Sequence, residues 1–225
     1  MNRFQTKKAI RKQQNSMQKR DRMIAASLVQ TKNLMIRTAR ELAVETGFEN
    51  FRIKKWADEA KISEGILYYH FESKEELLRT VYQESDSLIK TELLKIIDRQ
   101  KTEGDRRTLG RRVFEEYLQF LHSHMTETLY CRMYRQSGIY SNECSAYEED
   151  KRNFMKQLGK AFSTEDERTQ SQLAFFFSEL LLSFAASEGR EEKKGSGEYL
   201  LPVRKLLTET LNLILQDGIN HPKQL

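Results

Sequence analysis

The residues best suited to specific chemistry lie in one short stretch, residues 53–71, with the sequence IKKWADEAKISEGILYYHF. The stretch is predicted to form two short helices, Ile53 to Ala60 and Glu64 to about Tyr69. A three-residue turn, Lys61-Ile62-Ser63, joins them, and Ser63 is placed as the N-cap of the second helix. This is the size and layout of a helix-turn-helix, whose second helix lies in the major groove of DNA. Side chains on such a helix can form hydrogen bonds with phosphates and base edges, and apolar contacts with base edges.

Three adjacent aromatic side chains, Tyr68, Tyr69 and His70, end the second predicted helix. In isolation they would be more typical of the core of a small helical domain, because aromatic residues are usually well buried. Inside the helix-turn-helix pattern we favour contacts with DNA for Tyr68 and His70. Trp56 falls on the apolar side of the first helix and is predicted to be a core residue.

Positive charge is concentrated at the N-terminus. The formal net charge of the 225-residue chain is +5, yet residues 1–32 alone carry nine Lys or Arg against one acid. Residues 33–78, which include the helix-turn-helix, carry seven bases against nine acids. A basic arm is the expected footprint of a polyanionic partner, although a solvated tail would have the same composition. We expect the arm to supply phosphate neutralisation that residues 33–78 lack.

Other candidates for chemistry are weak. The sequence contains no nucleophile elbow, phosphate-binding loop or zinc-protease motif, so no enzymatic activity is expected. His122 and His124 are two residues apart and would point in different directions on a helix, which argues against a metal site. Cys131 and Cys144 are isolated thiols in a chain without a recognisable leader, which predicts a reducing, cytoplasmic setting. No cofactor is expected, and no apolar stretch is long enough to cross a membrane.

The elements that position these residues are predicted to be helices throughout. The chain has 2 prolines and 10 glycines, too few for a turn-rich β fold. Apolar spacing predicts a first helix from about Asn33 to Thr46, ended by Gly47. Ser73 begins a capping box that opens a long fourth helix.

Further breaks are predicted at Gly104 and in loops at residues 138–142 and 189–197. Thr164 is expected to begin a second capping box before the most apolar helix of the chain. That helix carries apolar residues on two faces, with Phe175 on the second, and is predicted to be buried from both sides. The last helix is predicted to start near Pro202.

The segment from about Leu34 to Leu78 strongly resembles the DNA-binding domain of the tetracycline-repressor (TetR) family of bacterial transcription regulators. The match has no gap, and the residues that carry it are Gly47-Phe48, Ala57, Ala60, Ile62-Ser63, Gly65, Leu67-Tyr68-Tyr69-His70-Phe71 and Ser73-Lys74-Glu75-Glu76-Leu77. The chain departs from the family pattern at Lys61, where a turn glycine is usual, and at Glu64, where a lysine is common. These departures affect the contacts rather than the fold.

The resemblance implies an all-α protein in three parts: a basic arm (1–30), a helix-turn-helix domain (31–78) and a helical effector-binding and dimerisation domain (79–225). It assigns DNA contacts to one set of residues: Lys54, Ser63, Glu64, Gly65, Ile66, Tyr68, Tyr69, His70 and Lys74. Within this set, Tyr68, His70 and Lys74 correspond to phosphate-contacting positions. Hydroxyl groups and helix N-termini are natural phosphate ligands.

The remainder of the chain resembles the family in layout only. A ligand pocket is expected among the middle helices, lined by Phe114, Tyr117, Phe120, Met133, Tyr134, Tyr147, Phe154 and Phe176, although each of these side chains is individually more typical of a core. The last two helices are expected to form the dimer interface through Phe177, Leu181, Phe184, Leu207, Leu211 and Ile214.

The sequence therefore predicts a homodimeric regulator that binds an operator in double-stranded DNA. It is expected to be a repressor released by a small, largely apolar ligand. The alternative is an architectural helix-turn-helix protein that binds DNA without any small-molecule effector.

Overall fold

The computed structural model describes residues 27–102, 108–192 and 200–220. Within these ranges every regular element is helical, which confirms the all-α prediction. The helices in chain order are α1 (27–46), α2 (Ile53–Ala60), α3 (Glu64–His70), α4 (Lys74–Thr102), α5 (Leu109–Ser123), α6 (Met125–Arg135), α7 (Gly138–Phe162), α8 (Glu167–Phe175), α9 (Leu181–Glu192) and α10 (Leu200–Asn220). A π-helical turn, Phe176–Leu180, joins α8 to α9.

The turns of the N-terminal domain follow from backbone conformations that the sequence permits. Gly47 ends α1 with φ +81°, and its N–H donates to Ala43 O at 2.9 Å. Lys61 ends α2 in the same left-handed region, with φ 55°. A side chain with a Cβ adopts this conformation at a cost of about 1 kcal/mol, which explains why glycine suits this turn. Trp56 is fully buried, as predicted, and its indole N–H donates to Met35 O at 3.2 Å.

A side-chain cap opens α4, as predicted. Ser73 Oγ accepts a hydrogen bond from the Glu76 N–H at 3.0 Å. The Glu76 carboxylate in return accepts from the N–H of Glu72, one residue earlier than in a standard capping box. Both bonds satisfy backbone donors that a helix start leaves unpaired.

Two boundary predictions in the C-terminal half are wrong. Residues 138–142 are not a loop, because α7 begins at Gly138 and Ser137 Oγ caps it by accepting from Tyr140 N–H at 3.4 Å. Thr164 does not open a helix; its N–H donates to Gly159 O at 2.8 Å and so closes the end of α7. Asp166 caps α8 instead, accepting from Thr169 N–H at 2.8 Å.

The π-helical turn changes which residues of the apolar segment are covered. Leu182 and Ala185 are buried as predicted, but Phe175 is 57% exposed, so the segment is not buried from both sides. A π turn accommodates one extra residue and therefore rotates the positions before it relative to those after it. The single apolar helix predicted after Thr164 is thus divided into α8, the π turn and α9. α9 extends to Glu192, which lies in the predicted 189–197 loop.

α4 is the central helix of the C-terminal helices and packs against α5, α6 and α7. α8, α9 and α10 complete the bundle, and one continuous apolar core runs from Met35 in α1 to Leu211 in α10. Of the helices described, none is both long and apolar enough to cross a lipid bilayer. Some predictions concern residues or side chains outside the described ranges: residues 1–26 of the basic arm, the break at Gly104, residues 193–197 of the predicted loop and the Cys144 thiol.

Candidate nucleic-acid interface and effector cavity

α3 presents a polar and aromatic surface on one side and anchors itself on the other. Leu67 is fully buried, whereas Tyr68 and Tyr69 are 60% and 74% exposed. Ser63, Glu64 and Gly65 are also exposed, and Ile66 is half-buried against the core. Large aromatic side chains this exposed in a single chain are available to a partner. The α3 surface therefore carries hydroxyl donors, a carboxylate acceptor and backbone N–H groups.

Ser63 occupies the N-cap position of α3, as predicted, but its hydroxyl makes no capping hydrogen bond. The Ser63 hydroxyl is therefore not bonded to the first N–H groups of α3. Hydroxyl groups and N–H groups at a helix start are both donors that can form hydrogen bonds with phosphate oxygens. His70, at the other end of α3, is half-buried and its ring meets that of Tyr69 edge-on, with centroids 5.0 Å apart.

The two lysines assigned to DNA contact differ in their surroundings. Lys54 is exposed on α2. Lys74 Nζ instead donates to Phe51 O at 3.0 Å and Phe48 O at 3.4 Å, and it lies 5.6 Å from the centroid of the Phe51 ring. Lys74 thus ties the start of α4 to the connection between α1 and α2, a role that the sequence did not indicate.

Several contacts among the described residues join the helix-turn-helix segment to α6. The Tyr130 hydroxyl in α6 donates to Leu78 O at 2.8 Å. The Phe48 ring packs edge-on against Tyr130 and Tyr134, with centroids 5.3 and 5.7 Å apart. In α1, Arg40 donates to Glu127 Oε1 at 2.6 Å. A movement of α6 would therefore directly displace the connection between α1 and α2.

A cavity of about 350 Å³ opens between α4 and α7, and a second of about 170 Å³ adjoins it toward α6 and the π turn. Their shared lining is mixed in chemistry: Tyr82, Asp86, Lys90, Tyr147, Asp150 and Phe154. Arg135, Tyr140 and Glu179 line only the smaller cavity. Charged side chains from α4, α6 and the π turn thus meet aromatic rings in one place.

Two of the eight predicted pocket residues, Tyr147 and Phe154, line these cavities. The other six are absent from both linings. Four of them are buried in the core (Phe114, Tyr117, Tyr134 and Phe176), and two are half-buried (Phe120 and Met133). The predicted lining consisted of aromatic and methionine side chains. The polar lining residues Asp86, Lys90 and Arg135 were missed, because the sequence does not show which charged side chains face inward.

Arg135 organises the smaller cavity. Its guanidinium donates to Tyr82 Oη at 3.1 Å, to Asp86 Oδ1 at 2.6 Å and to Glu179 Oε1 at 3.0 Å. It also donates to the Ser178 carbonyl within the π turn, where helical hydrogen bonding is irregular. Burial alone would lower the pKa of Arg135, but the Asp86 carboxylate and other neighbours raise it well above the ordinary value, so Arg135 stays charged.

Burial also raises the pKa of nearby Tyr82, although the charge of Arg135 opposes this effect. The phenol therefore remains protonated and accepts the hydrogen bond from Arg135 through a neutral oxygen. Cys131, on α6, is fully buried, and desolvation raises the pKa of its thiol. A buried neutral thiol of this kind is unreactive.

The six residues expected at the dimer interface are mostly internal. Phe177, Leu181, Phe184 and Leu211 are buried within the single chain, and Leu207 and Ile214 are half-buried. Side chains covered by their own chain are unavailable to a second copy. The exposed large apolar residues of α8, the π turn and α10 are Phe175, Leu180, Val203, Leu206 and Leu213.

In the described ranges, no three His, Cys, Asp or Glu side chains converge as metal ligands would. His122 Nε2 lies 3.1 Å from Glu188 Oε2, whereas His124 Nδ1 lies 3.1 Å from Phe120 O on the preceding turn. The two histidines therefore have separate surroundings, as their spacing predicted.

Comparison with known proteins supports the resemblance found in the sequence. Residues 35–81 match the model of the family described as bacterial regulatory proteins, tetR family. No curated protein sequence matches the chain.

Several solved structures share the fold across most of their length. A TetR family transcription regulator from Marinobacter aquaeolei VT8 is 16% identical, with a TM-score of 0.59, over 82% of this chain and 94% of that one. A TerR/AcrR family transcriptional regulator from Aquifex aeolicus VF5 is 24% identical, with a TM-score of 0.53, over 82% and 99%. The fatty acid degradation regulator FadR from Bacillus halodurans is 16% identical, with a TM-score of 0.56, over 80% and 93%.

Proposed function

We propose that this chain is a DNA-binding regulator that represses transcription and is released from DNA by a small molecule, because residues 35–81 match the model of the tetR family of bacterial regulatory proteins. The observation that carries the DNA-binding assignment is the exposure of Tyr68 and Tyr69 on α3, opposite the buried Leu67. α3 would enter the major groove and act as the recognition helix.

In this proposal Ser63, Glu64, Gly65 and Tyr69 face the base edges. Glu64 is suited to accept a hydrogen bond from cytosine N4. Gly65 has no side-chain atom other than the Ser63 hydroxyl within 4 Å of where a Cβ would stand, so its surface is open to a close approach. Ile66 contributes less than its sequence position suggested, because it is half-buried against the core.

The phosphate contacts in the proposal come from Lys54, Tyr68 and His70, with Lys74 holding the connection between α1 and α2 in position. Hydroxyl, imidazole and ammonium donors fix the register of a protein on DNA without reading its sequence. Residues 31–78 would form this DNA-binding unit, and residues 79–225 the effector and dimerisation unit.

We further propose a cytoplasmic homodimer that presents two copies of α3 to a near-palindromic operator. Half-sites would then lie about 34–36 Å apart, or a multiple of this distance. The exposed leucines of α10, Leu206 and Leu213, support a dimer surface on that helix. Their spacing of seven residues places them on one face.

Release by a ligand would occur through a population shift between two conformations. The cavity lined by α4 and α7 supports this part of the proposal, because α4 runs from Lys74 beside the helix-turn-helix to Asp86 and Lys90 in the cavity wall. A ligand that prefers one orientation of α4 would thereby change the spacing of the two recognition helices.

The experiment is fluorescence anisotropy with labelled duplexes. The upstream region of the protein's own gene is compared with a random duplex of equal length across a salt series. A preference of about a thousandfold or more supports a specific regulator. Equal binding to both duplexes with a steep salt dependence favours the architectural alternative.

The Tyr68→Phe variant makes the experiment specific for the α3 surface. Loss of the hydroxyl should weaken binding to both duplexes by about the same factor of three to ten, because a phosphate contact carries no sequence information. An absence of binding to either duplex at low salt, for the unmodified protein, would overturn the DNA-binding assignment.

The basic arm is tested separately. Deletion of residues 1–24 should weaken binding and flatten its salt dependence, because those residues carry most of the excess positive charge. An unchanged salt slope would contradict a role for the arm in phosphate neutralisation.

A further inference from the structure

Within the larger cavity the protein places one of its own ammonium groups between a carboxylate and an aromatic ring. Lys90 Nζ lies 2.6 Å from Asp86 Oδ2 and 5.2 Å from the centroid of the Phe154 ring. A carboxylate supplies opposite charge, and the face of an aromatic ring attracts a cation through its quadrupole. The position of Lys90 Nζ therefore marks a site whose chemistry suits an ammonium ion.

The two charged partners differ in how firmly they are held. The Lys90 side chain is 23% exposed and is attached through a flexible four-carbon stem that can turn toward solvent. The Asp86 side chain is 11% exposed, and its other oxygen, Oδ1, accepts from Arg135 at 2.6 Å. When Lys90 swings out, Asp86 keeps its place and turns an uncommitted Oδ2 toward the cavity.

The remaining walls extend the same chemistry. Tyr140 stacks on Tyr147 with centroids 5.0 Å apart, and Tyr82 meets Tyr147 edge-on at 5.4 Å, which forms a continuous aromatic wall. The Asp150 carboxylate lines both cavities from α7, and the Glu179 carboxylate lines the adjoining smaller cavity from the π turn, together with the exposed side chain of Lys151. A ligand with a flat ring would contact these aromatic faces and would lie near additional negative charge.

An anionic ligand would be matched less well. It would meet the carboxylates of Asp86, Asp150 and Glu179. Of the cationic side chains in the lining, Arg135 is already bonded to Asp86 and Glu179, Lys90 is paired with Asp86, and Lys151 is exposed at the surface. Displacing those bonds would leave a buried carboxylate without its partner, which is costly.

We propose that the cavity binds an organic cation, a primary or substituted ammonium carried on an aromatic body, whose nitrogen replaces Lys90 Nζ between Asp86 and the Phe154 ring. The proposal rests on the proposed function, because the cavity is there taken to be the effector site. It replaces the largely apolar ligand that the sequence led us to expect. A volume of about 350 Å³ is at the lower end for small-molecule sites and suits a body of one or two rings.

The test is isothermal titration calorimetry with three probes that share one aromatic body: 2-phenylethylammonium, 2-phenylethanol and 3-phenylpropanoate. The cation should bind about tenfold or more tightly than the alcohol, because it gains a charge-assisted hydrogen bond and a cation–π contact. The carboxylate should bind most weakly of the three.

The Lys90→Met variant separates the proposal from non-specific attraction. Methionine retains an unbranched apolar stem against Phe154 but removes the competing ammonium, so the affinity for 2-phenylethylammonium should rise several-fold. Lys95→Met is the matched control on the same helix, because Lys95 pairs with Glu92 on the surface and is 62% exposed. It should leave the affinity unchanged. Asp150→Asn should weaken cation binding.

Tighter binding of the carboxylate than of the cation, or weaker cation binding by Lys90→Met, would overturn the proposal, as would an absence of binding by all three probes. DNA binding is measured on the same preparations. Specific DNA binding without cation binding overturns the cavity assignment alone. Cation binding without any DNA binding overturns the regulatory function and leaves the cavity assignment standing.

Discussion

The Lys74 ammonium group makes hydrogen bonds within the protein, at a position where the family resemblance suggested a phosphate contact. Its hydrogen bonds to Phe51 O and Phe48 O close the connection between α1 and α2 over the start of α4. Hydrogen bonds from a charged donor contribute about 1.5–3 kcal/mol each when they are well made. Lys74 therefore positions α2 and α3, and in the proposed complex it also adds positive charge near the DNA.

Lys74→Met should lower the free energy of unfolding by about 1–3 kcal/mol, because both carbonyls lose their charged donor. Urea denaturation followed by circular dichroism measures this loss. Lys54→Met is the control, since Lys54 is exposed on α2 and should affect DNA affinity without affecting stability. Equal stability of Lys74→Met and the unmodified protein would reduce Lys74 to a phosphate contact.

Tyr117 gives the fold a defined sensitivity to alkaline pH. It is fully buried, and desolvation raises the pKa of its phenol far above the ordinary value of about 10. In the unfolded chain the phenol ionises as pH rises above about 10, whereas in the folded chain it keeps its proton. The stability conferred by the neutral phenol is thus complete below pH 10 and is lost as pH increases further.

We expect the free energy of unfolding to fall above about pH 10 by up to about 1.4 kcal/mol per pH unit for each such tyrosine. Tyr117→Phe removes one titrating group, so its stability should fall less steeply than that of the unmodified protein. Chemical denaturation at several pH values between neutral and strongly alkaline measures both slopes. Parallel curves for the two proteins would contradict this assignment.

At the level of elements, the sequence was most informative where a local signal has a single meaning. Gly47 ends α1 and Ser73 caps α4 as predicted, because each boundary is made by the residue itself and its neighbours. Gly138 was misinterpreted because a glycine is compatible both with a loop and with the first turn of a helix. Thr164 was misinterpreted because the left-handed Ser163 had already ended α7, which placed the cap at Asp166.

The cavity was less predictable for a different reason. An amphipathic pattern shows which residues of a helix are apolar, but packing decides which polar residues turn inward. Asp86 and Lys90 have the spacing of an ordinary surface ion pair on α4, and they become part of a cavity wall because α7 packs opposite them and Arg135 approaches Asp86 from α6. The predicted interface shows the same limit of pattern reading, because the single-chain core covers Phe177 and Leu181, which the apolar pattern alone does not distinguish from exposed positions.

The contact between α7 and α8 depends on a glycine. A Cβ at Gly159 would stand 2.5 Å from Gln170 Nε2 and 2.7 Å from Gln170 Cγ, so the whole Gln170 side chain lies across the α7 backbone. Gln170 Nε2 donates to Thr164 O at 3.1 Å and closes the connection between the two helices.

Gly159→Ala should therefore lower the free energy of unfolding, by about 1–2 kcal/mol after the gain in helix propensity is included. Gly138→Ala is the matched control in the same helix, because nothing lies within 4 Å of its Cβ position, and it should be neutral or slightly stabilising. Thermal denaturation compares them. A second change, Gln170→Ala, should remove most of the additional cost of Gly159→Ala; additive effects would contradict the packing argument.

At the scale of the whole molecule, the proposed dimer depends on the apolar residues that one chain leaves uncovered. Leu206 and Leu213 are each 61% exposed on α10, and Val203 lies on the same face at 40%. Exposed leucines aligned along one face are typical of a surface that meets another protein.

Replacing both Leu206 and Leu213 with glutamate should raise the dimer dissociation constant more than about a hundredfold, because each buried leucine contributes roughly 1.5–3 kcal/mol. Sedimentation equilibrium measures the change. Leu88→Glu on α4 is the control, since Leu88 is 40% exposed on a different helix and should leave assembly unchanged. An unaltered dimer in the double variant would place the interface elsewhere.

The burial of Trp56 has an optical consequence. It is the only tryptophan of the chain, and it lies in the core of the helix-turn-helix domain with its indole bonded to Met35 O. The cavity walls contain tyrosines instead. When the indole is excited selectively, its fluorescence therefore reports on the helix-turn-helix. A small molecule bound between α4 and α7 would lie away from this indole. A spectral shift or change in lifetime on addition of an effector would be a direct, label-free record of communication between the two.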